Sequence, residues 1–218
     1  MTAGPAEDTR TRLLQTALRL FTEHGVEGTS LQMIADALGI TKAAVYYHFK
    51  TKAEITEAVA EPGVRDLDEL VRRAAAQKRR GAQVDLLLEG FVDLVIRHRA
   101  LVALFSSDPG IARAIEKSAH GGMEGFGRVL LGILSGPDPD TTARVNALVT
   151  LTGIAMAGGS PDLAGLGDEE LRAELLDVGR RLLGRPRRRA LNAVSPLQSR
   201  ELPLRSREMP LQSRELPG

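Results

Sequence analysis

"TSLQMIADALGITKAAVYYHFKTK", residues 29–52, contains both tyrosines of the chain and three of its seven aromatic side chains, Tyr46, Tyr47 and Phe49. Aromatics make up only 3 % of the whole sequence, so their crowding beside Lys42, Lys50 and Lys52 asks for a reason. The stretch reads as two short helices separated by a turn. Ser30 is placed to cap the first and Gly39 to stop it, because a chain reversal with positive φ costs glycine little. Thr41 is placed to cap the second. At about 100° per residue, Val45 and Phe49 share one side of that helix, while Ala43, Tyr46 and Tyr47 share the other with Lys42 flanking.

Two outward tyrosines leave much ring surface in water unless a partner covers it. The DNA major groove offers such a partner, with phosphate oxygens on its rim and base edges and thymine methyls on its floor. Helix, glycine turn, helix is also the spacing of a helix-turn-helix unit. Ala35 is small where two helices must approach closely. Ser30 stands at an amide-rich helix start that suits a phosphate, and Lys52 puts a positive charge where a DNA backbone would pass. A competing reading has Tyr46, Tyr47 and His48 fill a helical interface inside the protein; periodicity alone leaves both open.

Outward from this stretch the apolar pattern stays helical. Leu13, Leu14, Ala17, Leu18, Leu20 and Phe21 form one face of a helix over about residues 9–24, closed by Gly25. A fourth helix begins near Thr51 and runs to about Lys78, with Pro62 expected to bend it. Further helices are expected over Ala82 to about Phe105, one or two between Pro109 and Leu134, then Thr141–Ala157 and Asp168–Leu183. No stretch alternates like a half-buried strand. The expected fold class is all-α.

The 218 residues are 43 % apolar and 26 % charged, the balance of a soluble globular protein. Without cysteine there is no disulfide framework and no thiolate chemistry. No signal peptide is visible at the N-terminus, and the longest apolar runs fall short of a membrane span, so a soluble cytoplasmic protein without membrane contact is expected. The net charge of +1 hides a division: residues 180–218 hold ten arginines against three glutamates, which leaves the rest of the chain at −6. Whole-chain basicity therefore gives no support to nucleic-acid binding, and local pattern must carry it. From Pro196 the tail repeats "PLQSREL", "PLRSREM", "PLQSREL"; a proline in every heptad forbids a continuous helix, and 185–218 reads as a disordered Arg/Pro-rich extension.

Residues 9–57 resemble the DNA-binding domain of the tetracycline-repressor (TetR) family of bacterial transcription regulators. The likeness rests on order and spacing together: Ala17, Leu20, Phe21 and Gly25; then Thr29, Ile34, Ala35 and Gly39; then Val45, Tyr46, His48, Phe49, Lys52 and Ile55. Val45 stands where the family more often has leucine. The resemblance implies a homodimer, a two-fold-symmetric operator, and a C-terminal domain that binds a small molecule and then lowers DNA affinity. Carried over position by position, Ser30 and Gln32 lie at the groove edge, Thr41, Lys42, Ala43, Tyr46, Tyr47 and His48 face the groove or its walls, and Lys52 meets a phosphate. Lys42 reads either a guanine or another phosphate. His48 is either a groove contact or a structural cap.

The implied organisation is a DNA-binding domain at 1–52, an effector-binding and dimerisation domain at 53–184, and the tail. Val145, Leu148, Val149, Thr152, Ala155 and Met156 make one apolar stripe; Leu171, Leu175, Val178 and Leu182 make another, and the last two helices are expected to pair two subunits. Phe91, Val95, Phe105, Met123 and Phe126 are the candidate lining of the effector cavity, with His98, His120 and Asn146 its possible polar groups, so the expected effector is mostly apolar. The fourth helix, bent at Pro62, is the expected lever between the domains. No catalytic motif is present, the four histidines lack metal-ligand spacing, and neither a cofactor nor a metal is expected. The runner-up function is a dimeric DNA-binding protein with no small-molecule effector, its C-terminal domain serving assembly or partner contact.

Overall fold

The computed structural model describes residues 5–118 and 122–185, with side chains described over 9–117 and 125–185. The Arg/Pro-rich tail from residue 186 onward, His120 and the side chain of Met123 lie outside the described residues. Among the described residues ten helices follow in order: α1 (Pro5–Gly28), α2 (Leu31–Leu38), α3 (Lys42–His48), α4 (Lys52–Ala75), α5 (Arg80–Arg97), α6 (Arg99–Ser107), α7 (Pro109–Ser118), α8 (Gly122–Ser135), α9 (Thr141–Gly158) and α10 (Asp168–Leu182), with a 3₁₀ turn at Pro161–Leu163 before the last. No strand occurs among the described residues, and no helix among them is long and apolar enough to cross a membrane.

The ends of the first helices follow from their chemistry. Gly25, at φ 74° and ψ 164°, breaks the α-helical path of α1. The Ser30 hydroxyl accepts from Met33 N, the Thr41 hydroxyl from Ala44 N, and the Thr51 hydroxyl from Glu54 N. Each occupies one amide that the first helical turn would otherwise leave bare. Gly39 takes the left-handed conformation at φ 68°, its amide reaching Asp36 O and the Ile40 amide reaching Ala35 O. That pair of bonds closes α2 and lets α3 leave at a new angle.

One apolar core joins α1, α2, α3 and the start of α4. It contains Leu13, Ala17, Phe21, Ile34, Val45, Phe49 and Ile55, and it continues without a gap into Leu101, Leu104, Ile111 and Ile115 of α6 and α7. A second core lies between α4, α5, α8 and α9, and a third between α5, α9 and α10. α10 is also tied to α5 by ion pairs: Arg172 to Asp93 at 2.6 Å, Arg180 to Glu89 at 2.6 Å, and Arg185, just past its end, to Asp85 at 2.9 Å.

Two expectations need amending. The helix expected over Ala82–Phe105 is two: His98, at φ −111° and ψ 30°, ends α5 and begins α6, with its ring turned to Asp66 of α4. Hydrophobic periodicity does not see such a joint, because the apolar rows of α5 and α6 continue across it. Finally, the α10 stripe is split. Leu171 and Leu175 are packed inside the chain, whereas Val178 is exposed.

Candidate nucleic-acid interface

The α3 helix is held from behind and open in front. Val45 is fully buried and Phe49 nearly so, and burying side chains of this size stabilises the docking by about 1.5–3 kcal/mol each. The Arg10 guanidinium of α1 lies 5.1 Å from the Phe49 ring centroid, which closes that flank. On the other side Tyr46 is 40 % exposed and Tyr47 77 %. Lys42 is exposed with its ammonium 5.8 Å from the Tyr46 ring centroid, so the cation stands directly beside the phenol. Ala43 and Thr41 are also exposed, and the Thr41 hydroxyl is already engaged as the helix cap.

The neighbouring candidates differ in how free they are. Gln32 is exposed but its amide nitrogen donates to Asp36 at 2.7 Å. Ser30 is exposed and engaged with the Met33 amide at 3.2 Å. His48 is half-buried at the end of α3 and stands edge-on to Tyr47, with ring centroids 5.2 Å apart. Ser30, Gln32, Thr41, Lys42, Ala43, Tyr46 and Tyr47 thus form one exposed set on α2 and α3.

Lys52 is engaged within the chain. Its ammonium donates to Val26 O at 2.8 Å and Glu27 O at 3.2 Å, and pairs with the Glu27 carboxylate at 3.3 Å. It ties the start of α4 to the end of α1 instead of projecting outward. Sequence reading missed Lys50. Its ammonium donates to Tyr46 O at 2.8 Å and its amide to Glu54, so it stabilises the carbonyl end of α3 and sets the α3–α4 turn. A basic residue just past a short helix was the available signal.

The expected effector lining assembles in part. Phe91, Val95, His98 and Phe105 share a small apolar cavity of about 120 Å³ with residues of α4, α6 and α7. Phe126 lies instead in the core beneath α8, and Asn146 is half-buried on α9 outside that cavity. At the cavity edge His98 Nε2 and Asp66 Oδ2 are 3.0 Å apart, and Arg97 also reaches Asp66. The hydrogen bond from His98, with help from Arg97, holds the Asp66 carboxyl below its ordinary range against the opposing effect of burial.

Comparison with known proteins agrees with this geometry. The sequence pattern of bacterial regulatory proteins of the tetR family matches residues 13–59, the span from the buried Leu13 through the α2–α3 pair to Val59. Residues 13–59 thus match the N-terminal domain of that family. Over 69 residues it is 42 % identical to the HTH-type transcriptional regulator AcrR of Shigella flexneri, covering 32 % of each chain. Over 101 residues it is 34 % identical to the HTH-type transcriptional regulator TtgR of Pseudomonas putida, covering 45 % of this chain and 48 % of that one. These alignments span about a third to a half of the curated relatives. The similarity of fold extends further: a TetR/AcrR-family regulator from Thermobifida fusca superposes with a TM-score of 0.52 at 26 % identity, covering 81 % of this chain and 97 % of that one.

Proposed function

We propose that this TetR-family chain is a homodimeric DNA-binding transcriptional repressor, not an enzyme, that binds a palindromic operator and is released by a small, mostly apolar effector. The observation that carries the reading is the α3 face: Tyr47, Tyr46 and Lys42 lie open on a helix whose opposite side is locked into the core by Val45 and Phe49. A rigid helix with phenols and a cation on its free side fits a groove that combines phosphates, base edges and methyl groups. The AcrR and TtgR relatives are named as HTH-type transcriptional regulators.

The dimer rests on α9. Its inner side packs through Ala147, Thr150 and Ile154, and its outer side leaves Val145, Leu148, Val149 and Met156 each 45–58 % exposed. A helix apolar on both sides is normally covered on both. A second copy docking there would also hold two α3 helices for successive turns of one DNA face. We assign residues 1–52 to DNA reading and 53–184 to pairing and effector binding, with the cavity around Phe91 and Phe105 as the effector site. Its apolar wall selects against polyanions.

Selection of bound duplexes from a random-sequence library tests the DNA reading: an inverted repeat is expected, and recovery of no preferred sequence refutes it. Sedimentation of Leu148→Asp against wild type tests the pairing. The expected result is a dimer converted to monomer; an unchanged species refutes the α9 interface.

A further inference from the structure

The helix break at Gly25 turns the Val26 amide away from α1, and a side chain from a distant helix junction accepts from it. Asp108 Oδ2 lies 2.7 Å from Val26 N, while its other oxygen lies 2.7 Å from Gly110 N at the start of α7. On the other side of the same residue, Val26 O accepts from Lys52 at 2.8 Å. Lys52 is the first residue of α4, four residues beyond the end of α3. A single residue near the end of α1 is therefore gripped from the α6–α7 junction and from the start of α4. The Val26 side chain is 3 % exposed in the core shared with α6 and α7.

The same α6 lines the apolar cavity through Leu101, Val102 and Phe105, and Asp108 lies only about 4.5 Å along the axis beyond Phe105. α5, the facing wall, is pinned to α10 by the three arginine–carboxylate pairs described above. α6 has nine residues and is jointed to α5 at His98. α6 is anchored at its first residue, where Arg99 donates to Gly158 O and Leu163 O and pairs with Asp168, so its far end, which carries Phe105 and leads into Asp108, is the part left to yield when the cavity fills. Apolar packing tolerates sliding, whereas a bond from an amide to a carboxylate is directional and short, so Asp108 must carry the amide with it.

We propose that Asp108 is a positioning residue that transmits displacement of α6 to the DNA-reading helices through the Val26 amide. This rests on the DNA-binding reading above and assigns the coupling to a contact distinct from Pro62 and the α4 lever.

The test is a double-mutant cycle on the full chain, with a duplex selected by the wild type as the probe and binding read by fluorescence anisotropy at one salt concentration. Val102→Phe fills the cavity from α6 and stands in for an occupant. Asp108→Ser keeps a short oxygen for the α7 cap but does not reach Val26. Val102→Phe is expected to weaken duplex binding at least tenfold with Asp108 present and less than threefold in the Asp108→Ser background. Asp108→Ser alone is expected to lower affinity less than tenfold. Equal penalties in the two backgrounds, no penalty in either, or a larger loss from Asp108→Ser alone in a folded chain overturns the proposal. Thermal melts establish folding; Asp108→Asn and Ala155→Leu, which fills the same cavity from α9, replace any variant that does not fold. A wild type that selects no duplex refutes the DNA reading itself, an outcome seen before any variant is made.

Discussion

Replacing Lys52 by methionine separates two roles for one ammonium. Met keeps the apolar stem and removes the charge and all three donors. In the structure those donors serve two backbone carbonyls, at 2.8 and 3.2 Å, and the side chain is 29 % exposed. Hydrogen bonds from a charged donor contribute about 1.5–3 kcal/mol, and partial exposure discounts them. The Glu27 carboxylate, itself 78 % exposed, adds little. Lys52→Met should therefore lower unfolding free energy by about 1–2 kcal/mol, read as a fall in urea midpoint at unchanged slope. Had Lys52 been a phosphate contact, stability would stay within about 0.5 kcal/mol and the slope of log affinity against log salt would shrink by about 0.9. An unmoved urea midpoint with the shallower salt slope refutes the tether and restores the phosphate role.

Gly39→Ala adds a methyl that meets nothing within 4 Å, so its cost is the left-handed backbone alone, and a loss of about 1–2 kcal/mol in urea unfolding is expected. Tyr47→Ala should leave the melting temperature nearly unchanged, since the ring is 77 % exposed, yet weaken duplex binding about tenfold, equivalent to ~1.4 kcal/mol. The Asp66 carboxyl is held below its unfolded value, so the stability it contributes is present above about pH 4 and is lost as pH falls through its folded value. The stability gap between wild type and Asp66→Asn should accordingly narrow as the pH falls below about 4 in urea titrations.

Much of this was legible in advance, for local reasons. Ser30 and Thr41 cap the helices they precede, and Gly39 closes α2, because capping acts within three or four residues of chain. Val45 and Phe49 were separable from Tyr46 and Tyr47 by helical phase. What escaped reading was long-range. Nothing around Lys52 announces that its ammonium turns back 26 residues to Val26, and nothing near Asp108 points to an amide 82 residues away. The joint at His98 was hidden for the same reason, since the contact to Asp66 spans 32 residues. The two terminal stripes looked equivalent in sequence, yet only the tertiary arrangement turns Leu171 and Leu175 inward and Leu148 outward.

The open side of α9 also bears on partner choice. Val145 and Leu148 border a trough whose charged margin consists of Arg128 and Arg144, two cations of the same sign. Rejection of wrong partners depends on repulsive or mismatched groups, and a greasy strip of valines and a leucine supplies few. If the proposed pairing through α9 holds, a related chain presenting a similar strip with carboxylates facing those two arginines would pair with this one more readily than a second identical copy would.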